Sequence, residues 1–237
     1  MGKKRLDIYQ IENGYCYNSD SLFLYFFINK FLKNNISLLD IGAGSGILGL
    51  LCARDFSINL TLCDINNTNT KLCKKNADIN NIACEILNQD ILDSNLSNFD
   101  FIISNPPFYR KDNISSKNTH LFLAKKSENL PFNLLASFVR KSLKQNGKFI
   151  FCYDAKEIYN VFIALNKNKF NISTIQFIYP NESKNANLVM ICCDFSKKQL
   201  EVLPPIFNFQ NKSYSQKTKE IFSFCNTHSI KIKENLL

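Results

Sequence analysis

The chain has 237 residues, 45% of them hydrophobic and 21% charged, enough apolar content to fill one sizeable core and too balanced a composition for global disorder. Its 29 Lys and Arg outnumber 20 Asp and Glu, a formal +9, which favours an anionic partner such as nucleic acid, although basic enzymes with small neutral substrates also exist. The longest apolar stretch near the start, residues 21–32, is too short to cross a bilayer and is broken by Asn29 and Lys30, and Lys3-Lys4-Arg5 runs into Asp7, Gln10 and Glu12 rather than into a signal-peptide core.

In chain order, Asn18-Ser19-Asp20-Ser21 precedes an apolar helix over 22–32. Short polar side chains there satisfy the free N–H groups of a first turn, and the same residues are placed to touch a bound cofactor. Apolar runs at 36–41, 59–64, 83–87, 99–104 and 148–153 read as buried strands. Between them lie helices over 47–54, 69–78 (after the capping-type Asn67 and Thr68) and 131–144. A helix over 155–166 precedes strands at 173–179 and 187–195, and the last forty residues, with Pro204-Pro205 and then Tyr214–Cys225, read as a loop and a closing helix. Strand and helix alternating in this way predict an α/β fold, a parallel sheet covered on both faces. Nine cysteines are scattered, mostly inside apolar runs such as Leu62-Cys63 and Ile191-Cys192-Cys193; there is no C-x-x-C pair, and only His120 and His228 could join a zinc site. Buried reduced thiols, no metal and a cytoplasmic location are expected.

Asp40-Ile41-Gly42-Ala43-Gly44-Ser45-Gly46 follows a strand and opens a helix. Glycine permits φ > 0 and close ligand approach, and the helix start offers free N–H groups. Asp64 ends the next strand 24 residues after Asp40, where a carboxylate can accept from both ribose hydroxyls of an adenosine-containing cofactor. A dinucleotide fingerprint needs its third glycine at 47, which is Ile. The D-x-G-x-G-x-G form instead resembles motif I of class I S-adenosylmethionine-dependent methyltransferases. That resemblance implies S-adenosylmethionine as cofactor and a Rossmann-like, doubly wound sheet, mostly parallel with an antiparallel final strand. By it Gly42 and Gly44 pack against the amino-acid end of the cofactor, Asp64 holds the ribose, and Asp90 lies beside the adenine. Asp40, Gly46 and Asn105 complete the implied cofactor set.

Asn105-Pro106-Pro107-Phe108-Tyr109 follows the strand at 99–104 directly, and two prolines end a ladder and stiffen the backbone at the sheet's carboxyl edge, where ligands bind. The motif resembles the Asn/Asp-Pro-Pro-aromatic motif of methyltransferases that alkylate planar, conjugated nitrogens. An exocyclic adenine amine is a poor nucleophile because its lone pair is delocalised. By this resemblance Asn105 and the Pro106 carbonyl accept its two N–H bonds, favour pyramidalisation and stabilise developing positive charge. Phe108 gives the base a stacking face, typically worth about 1–3 kcal/mol. Pro107, Tyr109, Arg110 and Lys111 are the implied substrate contacts.

Release-factor glutamine methyltransferases and guanine-N2 methyltransferases of ribosomal RNA share the motif but carry a further upstream domain, whereas 39 residues precede Asp40 here. The chain more closely resembles the bacterial tRNA(Val) adenine-37 N6-methyltransferases, through residues 10–24, the glycine loop, Ile102–Pro107 and Tyr214-Ser215. The implied partner is the anticodon arm of tRNA, met by a monomer built as one domain over 1–237, with a cofactor-covering segment 1–35, a core 36–196 and a tail 197–237. Residues 110–126 carry a local +4 and residues 197–237 another +4, suited to phosphate. The rival readings are a non-catalytic RNA-binding protein, a nicotinamide oxidoreductase and a DNA adenine methyltransferase; the last lacks an added recognition domain.

Overall fold

The computed structural model describes residues 3–12, 16–106 and 130–236. In chain order its main elements are β1 (Leu6–Ile11), α1 (Ser19–Ile28), β2 (Ile36–Ile41), α2 (Ile47–Asp55), β3 (Ile58–Asp64), α3 (Asn67–Asn80), β4 (Glu85–Asn88) and β5 (Phe99–Ser104). Then follow α4 (Phe132–Ser142), β6 (Leu143–Asp154), α5 (Ile158–Lys167), β7 (Asn171–Tyr179), β8 (Leu188–Asp194) and β9 (Glu201–Phe207). The chain closes with the short strands β10 (Phe209–Gln210) and β11 (Ser213–Tyr214), α6 (Gln216–Cys225) and β12 (Thr227–Ile232).

Eight strands form one sheet in the order β4-β3-β2-β5-β6-β8-β7-β9. From β2 the chain winds outward through β3 and β4, then crosses to β5 and β6 on the other side, so its direction reverses between β2 and β5. The strands are apolar and buried because both faces are covered. One core lies beneath α1, α2, α3 and α6, the other beneath α4 and α5. The antiparallel strand is β8, which pairs antiparallel with both β6 and β7, and the sheet then continues one strand further, β9 lying parallel to β7.

The tail departs from the expected loop and helix. Pro204 and Pro205 sit inside β9, and an edge strand tolerates them because one side of its ladder is unused. The closing helix is α6, capped by Ser215, whose Oγ accepts from the Thr218 N–H at 3.1 Å. β12 then pairs in parallel with β1, Leu6 opposite Thr227 through Ile11 opposite Ile232. Other differences are local. The cap of α3 is Asn66, accepting from Thr68 N at 2.8 Å, rather than Asn67 or Thr68. α4 stops at Ser142 because Leu143 already pairs with Phe99, and the polar residues after it form a bulge before Lys148 meets Phe101. None of the nine cysteines is in a disulfide, and seven of them are buried. Among the described residues no helix is long and apolar enough to cross a membrane, and no three His, Cys, Asp or Glu side chains gather as metal ligands.

Two asparagines of α3 dock β1. Asn80 accepts from Asp7 N at 3.0 Å and donates to Asp7 O at 2.7 Å; one turn earlier, Asn76 accepts from Tyr9 N at 2.7 Å and donates to Tyr9 O at 3.2 Å. A helix thus serves the strand edge that β12 does not.

Asp40, at the end of β2, fixes α2. Its Oδ2 accepts the Gly49 N–H at 2.9 Å. A Cβ at Gly49 would come 2.5 Å from Leu62 and 2.9 Å from Leu60, so glycine is what lets the helix sit this close. Burial raises the Asp40 carboxyl to about 7, outweighing the Gly49 hydrogen bond, and the Asp64 charge adds to the rise. An acid whose native pKa is raised favours folding fully below its unfolded pKa, and that contribution is lost as pH climbs through the native value. At Asp100 and Asp194 burial is the largest single effect, but the hydrogen bonds of Lys144 and Ser37 on one and of Lys148 and Ser196 on the other together outweigh it, so both have lowered values and give a slope of opposite sign below 3.8. The urea midpoint of the ligand-free protein is therefore expected to fall between about pH 4.5 and 7.5, and Asp40→Asn to flatten that fall. Identical slopes in the two proteins would show that Asp40 titrates normally.

Candidate active site

Ile41 stands opposite Ser104 in the β2–β5 pairing, and Ser104 Oγ donates to Ile41 O at 2.9 Å. Gly42 and Asn105 therefore leave the carboxyl edge side by side, about one strand spacing (~4.8 Å) apart. The structure so brings together the glycine loop and the Asn-Pro motif at the point where the winding reverses, the usual ligand crevice of such sheets.

Gly42, Gly44 and Gly46 have φ of +69°, +58° and +79°, conformations that side chains rarely adopt. A Cβ on Gly42 or Gly44 would meet nothing within 4 Å, so the space over the loop is open to a ligand. Gly46 differs: a Cβ there would press on Leu50, Leu62 and Cys73 at 3.2–3.3 Å, which makes it a packing glycine. The loop is braced by Gly42 N and Ala43 N donating to Cys63 O at 2.9 and 3.1 Å. Asn76, fully buried, donates to Ser45 O at 2.8 Å and so ties the loop to the side chain that docks β1.

Asp64 ends β3 with its carboxylate turned onto the loop. Oδ2 accepts Gly44 N and Oδ1 accepts Asn66 N, both at 2.8 Å, while Asn69 Nδ2 spans the two oxygens at 3.2 Å. Burial raises its pKa against these three donors. A carboxylate offers about four acceptor positions, so once the Asn69 amide gives way two are left for hydroxyl donors. Asp90 accepts Leu92 N at 2.9 Å and caps a single 3₁₀ turn, Ile91–Asp93. The Asp64 and Asp90 loops are tied by Gln89 N donating to Asp64 O at 3.3 Å and Asn88 Nδ2 donating to the same oxygen at 3.1 Å.

Asn105 is half-buried and Pro106 buried. Asn105 Nδ2 donates to Ser21 Oγ at 3.1 Å. Because the amide is planar, that bond turns Oδ1 away from Ser21. The N-cap reading of the preceding segment holds as well, since Asn18 Oδ1 accepts Asp20 N at 3.0 Å. Gly42, Gly44, Asp64, Asp90 and Asn105 thus gather at the ends of β2 to β5, whereas the expected cofactor residues Asp40 and Gly46 sit behind them, one buried and holding α2 and the other packed against Leu50, Leu62 and Cys73. Pro107, Phe108, Tyr109, Arg110, Lys111, His120 and the basic stretch 110–126 lie outside the described residues.

Sequence reading passed over Asn69, Asn76 and two exposed apolar side chains, Ile65 at 51% and Leu92 at 36%. The last two had a signal, a large apolar residue within two positions of a site carboxylate. Asn76 had none, because its partners lie 31 and 67 residues away.

The methyltransferase small domain family matches residues 21–172. The tRNA1(Val) (adenine(37)-N6)-methyltransferase of Shewanella putrefaciens is 28% identical over 166 residues, 67% of this chain and 69% of its own. The release factor glutamine methyltransferase of Lactococcus lactis is 35% identical over 83 residues, 34% of this chain and 30% of its own. The fold is shared with geranyl diphosphate C-methyltransferase of Streptomyces coelicolor, solved with S-adenosyl-L-homocysteine, at a TM-score of 0.57 and 12% identity over 74% of this chain and 80% of that one. With an open glycine loop, a buried acid behind it and an Asn-Pro turn beside it, the chain belongs to the methyltransferase small domain family, and S-adenosylmethionine is its cofactor.

Proposed function

We propose that this methyltransferase modifies the exocyclic N6 of an adenine in tRNA, at position 37 beside the anticodon of tRNA(Val). The observation that carries the chemistry is Asn105: its amide is oriented by Ser21 and stands one strand from the open glycine loop. The name of the Shewanella relative supports the nucleic-acid substrate, as do the formal +9 and the two +4 segments.

The cofactor supplies a methyl group made electrophilic by a positively charged sulfur. Gly42 and Gly44 would let the backbone approach it, Asp64 would accept from its ribose hydroxyls and Asp90 from its adenine amine, and the exposed Ile65 and Leu92 would offer apolar surface to the ring. Asn105 Oδ1 and the Pro106 carbonyl accept the two N–H bonds of the target amine. Acceptors fixed in advance at a nitrogen that becomes positive stabilise that charge without reorganising. They also hold the lone pair in one direction. Phe108 stacks on the base. No strong base is required, because the nitrogen becomes acidic once it carries charge. Phosphate contacts from the basic segments give affinity that weakens steeply with salt.

Incubation with label-bearing cofactor and total tRNA from a strain lacking the enzyme is expected to place methyl in tRNA. Label absent from tRNA but present in a release factor or in ribosomal RNA overturns the substrate reading. Asn105→Ala is expected to reduce transfer by roughly 10²-fold or more with cofactor affinity nearly unchanged. Ser21→Ala, which frees the same amide, is expected to lower kcat by about tenfold, the scale of one hydrogen bond.

Asn76→Asp removes the donor to Ser45 O and is expected to weaken cofactor binding by roughly five- to tenfold in calorimetry. Asn80→Asp disturbs the same strand without touching the loop and is expected to leave that affinity unchanged. Equal effects of the two would mean that Asn76 acts only on β1.

A further inference from the structure

β9 runs in the same direction as β5, so its end at Phe207 reaches the edge that carries Asn105. Four strand gaps separate them in the sheet order, about 19 Å at ~4.8 Å each. Directly beyond Phe207 lies the β10–β11 hairpin, in which Phe209 pairs with Tyr214 and Gln210 with Ser213. Asn211 and Lys212 form its tip with φ of +50° and +64°, the backbone of a tight hairpin turn.

Two strands of two residues do not hold themselves together in water. This pair is held at its base. Asn208 N donates to Tyr179 O and Phe209 N to Pro180 O, both at 2.8 Å, and Ser215 N donates to Asn208 O at 2.9 Å. The Phe209 and Tyr214 rings stack with centroids 4.9 Å apart and planes 21° from parallel. Tyr214 in turn meets Phe222 edge-on at 5.1 Å, and Phe222 packs 6.1 Å from Phe23, two residues beyond Ser21. An aromatic series therefore runs from beside the Asn105 contact to the hairpin. Its last two members stay open to solvent, Phe209 at 37% and Tyr214 at 44%. Rings placed there for core packing alone would be covered. From Glu201 to Glu220 the sequence holds three lysines and two glutamates, and Lys217 pairs with Glu220 at 3.3 Å, so the cation beside the rings is Lys212 at the hairpin tip.

We propose that the Phe209–Tyr214 pair and Lys212 form a second RNA contact, on which an unpaired base stacks while the lysine meets phosphate. The proposal rests on the RNA-substrate reading above. Stacked bases rise about 3.4 Å each, so this base lies on the order of five nucleotides from the one held at Asn105. Aromatic faces combined with lysines suit single-stranded nucleic acid, because every base presents a π face. A protein partner or a second copy of this chain would need acidic complementarity to the same surface.

The chain contains no tryptophan, so Phe209→Trp introduces a single indole reporter. Anisotropy with a labelled tRNA transcript is expected to show binding by both wild type and Phe209→Trp, and the tryptophan emission is expected to fall as RNA binds. Heparin, a polyanion without bases, is expected to bind without quenching. Phe209→Leu keeps an apolar side chain but loses the ring face, and is expected to raise the Kd for the transcript about tenfold, with cofactor affinity and thermal midpoint unchanged. Binding of RNA without quenching, equal quenching by heparin, or an unchanged Kd in Phe209→Leu overturns the hairpin contact and leaves the substrate reading standing. No RNA binding by wild type removes the substrate reading and this contact with it. A dimer in sedimentation that Phe209→Leu dissolves would assign the rings to a second copy and also overturn the proposal.

Discussion

The pairing of β2 with β5 is the constraint on which the site depends. Ser104 is buried between Ile41 and Phe151 in register and closes the pairing with a side-chain bond to Ile41 O. Both strands are covered on two faces, so a slip of one residue would exchange every side chain between the two cores. The register is thereby fixed, and with it the separation of the glycine loop from the Asn-Pro turn. Two residues before Gly42, Asp40 secures α2. One strand further, Asp64 grips Gly44. The chemistry asked of Asn105 tolerates little misplacement, and the register of the sheet supplies that precision.

The parts of this arrangement that were readable in the sequence are those in which glycine or proline punctuates the backbone. Gly42 and Gly44 announce a loop that side chains cannot form, and Asn105-Pro106 announces where β5 must end. The burial of most of β2, β3 and β5 likewise followed from predominantly apolar runs. The periphery was less legible, for identifiable reasons. Leu6–Ile11 alternates buried and half-buried residues over only six positions, and Thr227–Ile232 is largely exposed, so neither strand carries a strong apolar signal. Pro204-Pro205 argues against a strand unless its place at the sheet edge is already known. The hairpin tip is formed by Asn211 and Lys212, without the glycine that usually marks such a turn.

Site residues divide in the same way. Asp40, Asp64 and Asp90 were locatable because each ends a strand or follows one. Asn69 and Asn76 sit within a polar-looking helix, and their roles are set by partners from other parts of the chain. The Ser21 hydroxyl is similar: its neighbourhood read correctly as a helix start, while its bond to Asn105 joins residues 84 positions apart. Polar residues buried by tertiary contact leave little local trace, because their hydrogen bonds replace ones that water would otherwise make.

The pairing of β1 with β12 has a consequence for how the molecule is made. Residues 6–11 are made well before residues 227–232, yet the two are strand partners. Contacts so distant along the chain close late, after the loop entropy of everything between has been overcome. Until then Asn76 and Asn80 face a strand held from one side only. The nascent sheet can assemble around β2 and β5 while residues 6–11 wait, and that segment gains its second edge only once residues 227–232 are available to pair.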